Sequence, residues 1–217
     1  MVFANGFVVK VQTTFDHEKF MREGYNYVAL QNNTEYKLYL GNERNTECMA
    51  EVYLEGELIG TWFIPANDSI LIERPADVER KFVFVSEKSY QASSAGVVVG
   101  ELTNGLVRVK FYPKKYMPVM RVAQASFAPA SRSFSGAQES LMTSKSYSSG
   151  ATVLGESSSQ RFGTRRRFRD DEIDSTNITE ISIRLVVQEQ RYIPSYTSIA
   201  QRNQMPPRIE DTNGYRY

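Results

Sequence analysis

Few residues in this chain could do chemistry, and they lie far apart. His17 is the single histidine and Cys48 the single cysteine in 217 residues. A serine or cysteine nucleophile activated by an imidazole would have to use His17, in the charged stretch Phe15-Asp16-His17-Glu18-Lys19. That stretch reads as a solvated loop or short helix, where no cleft would hold a substrate. One histidine and one cysteine cannot assemble a His/Cys zinc site within one chain. The sequence has no Gly-x-Ser-x-Gly elbow, no phosphate-binding glycine loop and no His-Glu-x-x-His. Carboxylates cluster at Asp170-Asp171-Glu172 and Glu210-Asp211, but in polar surroundings that would not raise a carboxyl pKa for acid catalysis. The chain therefore reads as non-enzymatic, with no cofactor and no metal.

Other residues suit contact better than catalysis. Cys48 alternates with Ala50 and Val52 and has no adjacent cation, so it reads as a small buried hydrophobe. Trp62, in Gly60-Thr61-Trp62-Phe63-Ile64, reads first as a core residue between two sheets. Its alternative is a stacking platform in a carbohydrate- or ligand-binding β-module. Arg165-Arg166-Arg167-Phe168-Arg169 is the sharpest charge feature. It could be a solvated loop, a contact to acidic patches of a protein partner, or a phosphate-binding run for a nucleic-acid-associated protein. The acids Asp170, Asp171, Glu172, Asp174 and Glu180 follow at once, which argues against the nucleic-acid reading. Sequons at Asn32, Asn67 and Asn177 read as turn chemistry.

The elements that must position these residues are β-strands. Candidates are Gly6–Thr14, Tyr25–Gln31, Glu35–Leu40, Thr46–Leu54, Glu57–Ile64, Ser69–Arg74, Arg80–Val85, Val97–Thr103, Leu106–Tyr112 and Val119–Gln124. Glu55-Gly56 is a plausible two-residue turn, and Asn104-Gly105 is the strongest hairpin signal. Asp16–Arg22 could form about two helical turns and Ala76–Arg80 one. Short strands closed by turn residues predict an all-β fold, a β-sandwich or jelly-roll-like domain, over 1–124.

Composition changes at that point. Residues 125–176 are rich in Ser, Ala, Gly and Arg, and too poor in large aliphatics to offset their own ordering entropy. They read as an extended arm, so that residues 1–124 would fold unaided. Residues 177–190 alternate Ile181, Ile183 and Leu185 with polar residues, predicting an isolated strand. It would pair with its own sheet or augment a neighbour's. Residues 191–217 read as an extended tail ending in Tyr215 and Tyr217. Candidate partner contacts are thus Arg165, Arg166, Arg167, Phe168, Arg169, Ile181, Ile183, Leu185, Tyr215 and Tyr217. The 26 Lys+Arg balance 25 Asp+Glu, no stretch is apolar enough to span a membrane, and the N-terminal residues lack a secretory pattern.

Residues 25–85 also resemble a known type of domain. The residues that carry this are Tyr27-Val28-Ala29-Leu30, Tyr36-x-Leu38-x-Leu40-Gly41-Asn42, Cys48-x-Ala50-x-Val52, Gly56, Gly60-x-Trp62-x-Ile64, Ile72-Glu73-Arg74-Pro75 and Arg80-Lys81-Phe82-x-Phe84. They resemble a small β-rich domain among the minor virion proteins of large icosahedral DNA viruses of algae and protists. The resemblance implies a minor capsid protein located in the virion, and otherwise a cytoplasmic rather than secreted protein. Its implied partners are the major capsid protein and minor capsid neighbours, cemented through the arm, with a homo-oligomer as a further option.

Overall fold

A computed structural model describes residues 1–116 and 147–188. Residues 117–146 and 189–217, which hold the expected strand Val119–Gln124, the first part of the expected arm and the tail with Tyr215 and Tyr217, lie outside the described residues.

The fold is all-β. In chain order the strands are β1 (Val2–Ala4), β2 (Phe7–Gln12), β3 (Glu18–Arg22), β4 (Tyr25–Leu30), β5 (Thr34–Glu35), β6 (Lys37–Asn42), β7 (Cys48–Leu54), β8 (Glu57–Ile64), β9 (Asp68–Ile72) and β10 (Arg80–Ser86). After a short helix α1 (Tyr90–Ser94) come β11 (Leu106–Pro113), β12 (Tyr147–Ser157) and β13 (Thr179–Gln188). One sheet runs β1-β2-β6-β9; the other runs β5-β10-β12-β13-β11-β7-β8, with β4 on β13 and β3 on β4.

The two sheets enclose one core. Phe7, Val9, Val11, Leu38, Leu40 and Ile72 come from the smaller sheet. They meet Ala50, Val52, Phe82, Phe84, Val109, Phe111, Ile183 and Leu185 from the larger. The Phe7 and Phe111 rings stack at 4.5 Å. Alternation explains this directly, because in β11 every second residue from Val107 to Phe111 is buried.

Tight turns set the register. Asn5-Gly6, Glu23-Gly24 and Glu55-Gly56 each hold two successive positive φ angles, such as 53° and 88° at Glu55 and Gly56. That is the backbone of a type I′ hairpin, and each joins two paired strands.

The structure corrects several expectations. Asp16–Arg22 does not form a helix: Glu18–Arg22 is β3, paired antiparallel with β4. Ala76–Arg80 forms no helical turn, and the helix present is α1, whose N-cap Ser89 accepts a hydrogen bond from the Ala92 N–H. Val97–Thr103 is a loop, so Asn104-Gly105 closes no hairpin. Positive φ is used at Gly105 (71°) for a different purpose. A Cβ there would lie 2.4 Å from the Leu185 carbonyl, so glycine lets β11 begin against β13.

The largest correction concerns β12, expected as part of the arm, while β13 pairs with its own sheet, one of the two alternatives expected for residues 177–190. β13 lies in the interior of the large sheet. Residues 179–184 pair with β11, and 186–188 pair with β12. Its other edge pairs in parallel with β4 over Ile183–Val187. β12 pairs with β10 from Ser157 back to Gly150. Residues 147–188 therefore belong to the same body as 1–116, and residues 1–124 alone would lack the strands that join β10 to β11. Serine-rich sequence concealed β12, because two small residues of that strand face close neighbours. A Cβ at Gly150 would come within 2.2 Å of the Phe84 ring, and one at Gly155 within 2.3 Å of Val83. The stretch 25–85 that carries the viral resemblance supplies strands to both sheets, and β11, β12 and β13 stand between its β7 and β10.

Candidate functional site

The candidate functional region is the outer side of β7 and β8, crossed by the segment between β12 and β13. β7 turns Ala50, Val52 and Leu54 into the core, so Glu51 and Tyr53 face outward. Glu51 is nevertheless only 5% exposed. Its carboxylate accepts hydrogen bonds from the hydroxyls of Tyr53 (3.0 Å) and Tyr112 (2.9 Å) and pairs with the guanidinium of Arg167.

The basic cluster is bound onto this surface. Arg165 donates to Glu47 at 2.6 Å and lies over the Phe63 ring. Lys114 donates to the other Glu47 oxygen at 2.8 Å. Burial would raise the Glu47 pKa, but the hydrogen bonds from Lys114 and Arg165 outweigh it and hold the carboxyl below its ordinary value. Arg166 pairs with Glu172 at 3.1 Å, and the same carboxylate accepts the Arg169 N–H at 2.8 Å. Phe168 is buried edge-on against Phe63, with centroids 5.3 Å apart. Backbone bonds fasten the far end, from Lys115 N–H to the Glu172 carbonyl and from Asp174 N–H to the Pro113 carbonyl.

The near end is fastened to β9. Gln160 accepts from the Glu73 N–H and donates to the Leu71 carbonyl, occupying the outer edge of that strand. Arg74, 5% exposed, has its guanidinium on the carbonyls of Gln160, Pro75, Ala76 and Val78 and over the Phe162 ring. Phe162 meets Trp62 edge-on at 5.6 Å. Between β8, β9 and this segment runs an open groove of about 840 Å³, lined by Trp62, Ile70, Leu71, Phe162 and Arg161 among others.

The predicted residues divide as follows. Arg165, Arg167 and Phe168 come together on the β7–β8 surface, while Arg166 and Arg169 turn to Glu172 of their own segment. Ile181, Ile183 and Leu185, expected as partner contacts, are instead core residues of β13, each 2% exposed or less. Trp62 is 7% exposed, and a Cβ at Gly60 would sit 2.6 Å from its ring, so it packs as a core residue at the wall of the groove. Cys48 is fully buried, and burial pushes its thiol up to about 12. His17 accepts or donates one hydrogen bond at 2.9 Å with Thr13; burial, then the charge of Lys19, lowers its pKa. Among the described residues no group of three or more His, Cys, Asp or Glu could hold a metal ion, and no helix is long and apolar enough to cross a membrane.

Sequence reasoning missed Glu51, Glu55, Glu87 and Arg74, the groups that tie distant segments together. A charged residue inside an apolar strand, such as Glu51 in Cys48–Leu54, was the available signal. Comparison with known proteins adds nothing to this geometry: no family model, curated protein or solved structure matches the chain.

Proposed function

We propose that this chain is a non-enzymatic structural protein of a large virus particle, a minor capsid protein that cements neighbouring capsomers. The observation that supports a structural role is the use made of its buried and half-buried polar groups. Glu51, Glu55, Glu87 and Arg74 bind backbone and side chains of distant segments, which fixes the body and leaves these groups engaged. The resemblance of residues 25–85 supplies the capsid setting. Residues 117–146, between β11 and β12, and 189–217, after β13, are the segments assigned to neighbours.

This reading revises the arm. Residues 147–188 act as body, so the cementing contacts belong to 117–146 and 189–217. The basic run Arg165–Arg169 has Glu47, Glu51 and Glu172 as partners, which favours an internal fastening over phosphate binding. Deleting residues 189–217 tests the assignment. The expected product keeps its β-type circular dichroism and melting temperature but is lost from particles during gradient purification. Retention at the wild-type level would refute the role of the tail, whereas loss of the β-signal would refute the body boundary.

A further inference from the structure

The loop between α1 and β11 carries apolar side chains for which the fold has no use. Val98, Val99 and Leu102 are 63%, 56% and 85% exposed, and Tyr90 on α1 is 84% exposed. A patch of this kind on a soluble body marks an interaction site when it is held out rather than left loose. Here the backbone is gripped from below. Buried Glu87 accepts from the Gly100 N–H at 3.1 Å and from Asn104 Nδ2 at 3.0 Å, and Asn104 Nδ2 also donates to the Val98 carbonyl at 2.8 Å. Arg184 of β13 donates to the Leu102 and Asn104 carbonyls at 2.9 and 3.1 Å. A carboxylate, an amide and a guanidinium thus fix a convex knob, with the exposed Glu101 beside Leu102 at its tip.

The groove between β8 and β9 has the opposite character. It is concave, has apolar walls at Ile70, Leu71 and Phe162, and carries Arg161, whose side chain is 87% exposed and reaches Glu79 only at 3.9 Å. The knob is anchored to β13 through Arg184.

We propose that the knob of one copy seats in the groove of a second copy, Leu102 and Val99 against Leu71 and Phe162 and Glu101 against Arg161. Such a contact is heterologous: each copy uses one knob and one groove, so association continues head to tail until it closes on itself. A bilayer is the less fitting occupant, because Glu101 would be carried into the lipid with the apolar tip and would meet no cation there. The inference does not depend on the viral reading, since it concerns the purified chain in solution.

Sedimentation equilibrium of the full chain tests it. The weight-average mass of the wild type is expected to rise with concentration past that of a dimer. Leu102→Glu, which removes the knob, and Arg161→Glu, which inverts the groove charge, are surface changes and should each weaken association about tenfold or more. An equimolar mixture of the two should stop at a dimer, since one intact knob and one intact groove remain to meet. Glu101→Arg combined with Arg161→Glu should restore association. A monomeric wild type, association indifferent to both variants, or a mixture that forms no dimer would each overturn the proposal. So would a monomeric wild type that binds neutral phosphatidylcholine vesicles through Leu102.

Discussion

Replacing Glu55 by Gln should remove a part of the pH dependence of stability. Glu55 stands in the β7–β8 turn and joins three parts of the large sheet. One carboxylate oxygen accepts the Gly105 N–H at 2.7 Å and the other accepts the Thr152 N–H at 2.7 Å. Burial pushes its pKa from 4.5 up to about 7, despite those two donors and the charge of Arg184. A carboxyl whose pKa is higher folded than unfolded binds more protons in the folded state between those two values. Stability from this group is therefore greatest below the unfolded pKa and declines as pH rises through the folded one. The full interval corresponds to about 3 kcal/mol, an upper bound on what one group can contribute. His17 acts in the opposite sense, since a lowered folded pKa makes stability rise as pH climbs to its ordinary value of 6.5. The informative quantity is thus the difference between Glu55→Gln and wild type, in which His17 cancels. Gln cannot accept at both positions, because its amide nitrogen must face one N–H donor, so at pH 5 the variant should be less stable by about 1–3 kcal/mol. Between pH 5 and pH 8 that deficit should shrink by up to about 3 kcal/mol. Urea titrations at half-unit pH intervals measure it. A difference that stays flat with pH would refute the placement of a buried, titrating carboxyl at this turn.

Three further outcomes follow from the same contacts. Leu185→Ala at the centre of β13 should cost about 2–5 kcal/mol by denaturant titration, whereas Ile178→Ala, at a 42% exposed position, should change stability by about 0.5 kcal/mol or less; similar small costs at both would contradict the interior position of β13. Arg167→Ala leaves the buried Glu51 carboxylate with two tyrosine hydroxyls. It should cost about 1–3 kcal/mol, reduced from a fully buried pair because Arg167 is half exposed; adding Glu51→Gln should recover part of this, and strict additivity would show that the two are not coupled. Native Cys48, with its thiol at about 12 and no exposure, should react with a disulfide reagent only at the rate of unfolding, and stoichiometric labelling within seconds in native buffer would contradict its burial.

Much of the fold was legible because two periodicities carry it. Alternation in Leu106–Pro113 and the Glu55-Gly56 turn led to correct strands and a correct hairpin. β3 was hidden by charge: Glu18, Lys19 and Arg22 read as a solvated helix because an edge strand may expose one face and one edge to water. Asn104-Gly105 misled for a related reason. Its positive φ is real at Gly105, yet the loop before it is governed by Glu87, a buried partner 17 residues away in sequence. The placement of β13 depended on contacts between sequence-distant strands, and no local pattern distinguishes an interior strand from one that augments a neighbour. The basic run stood out at once, but its partners Glu47 and Glu51 lie more than 100 residues earlier, so only the folded chain reveals that these charges are matched internally.

The proposed role requires this chain to be a structural part of a particle. Quantitative mass spectrometry of gradient-purified particles, recovered from cells that express the chain, is the direct measurement of the proposed capsid role, made before and after a wash with detergent and high salt. The chain is expected at a fixed ratio to the major shell protein in both samples. Absence from the particles, or complete removal by the wash, would contradict it.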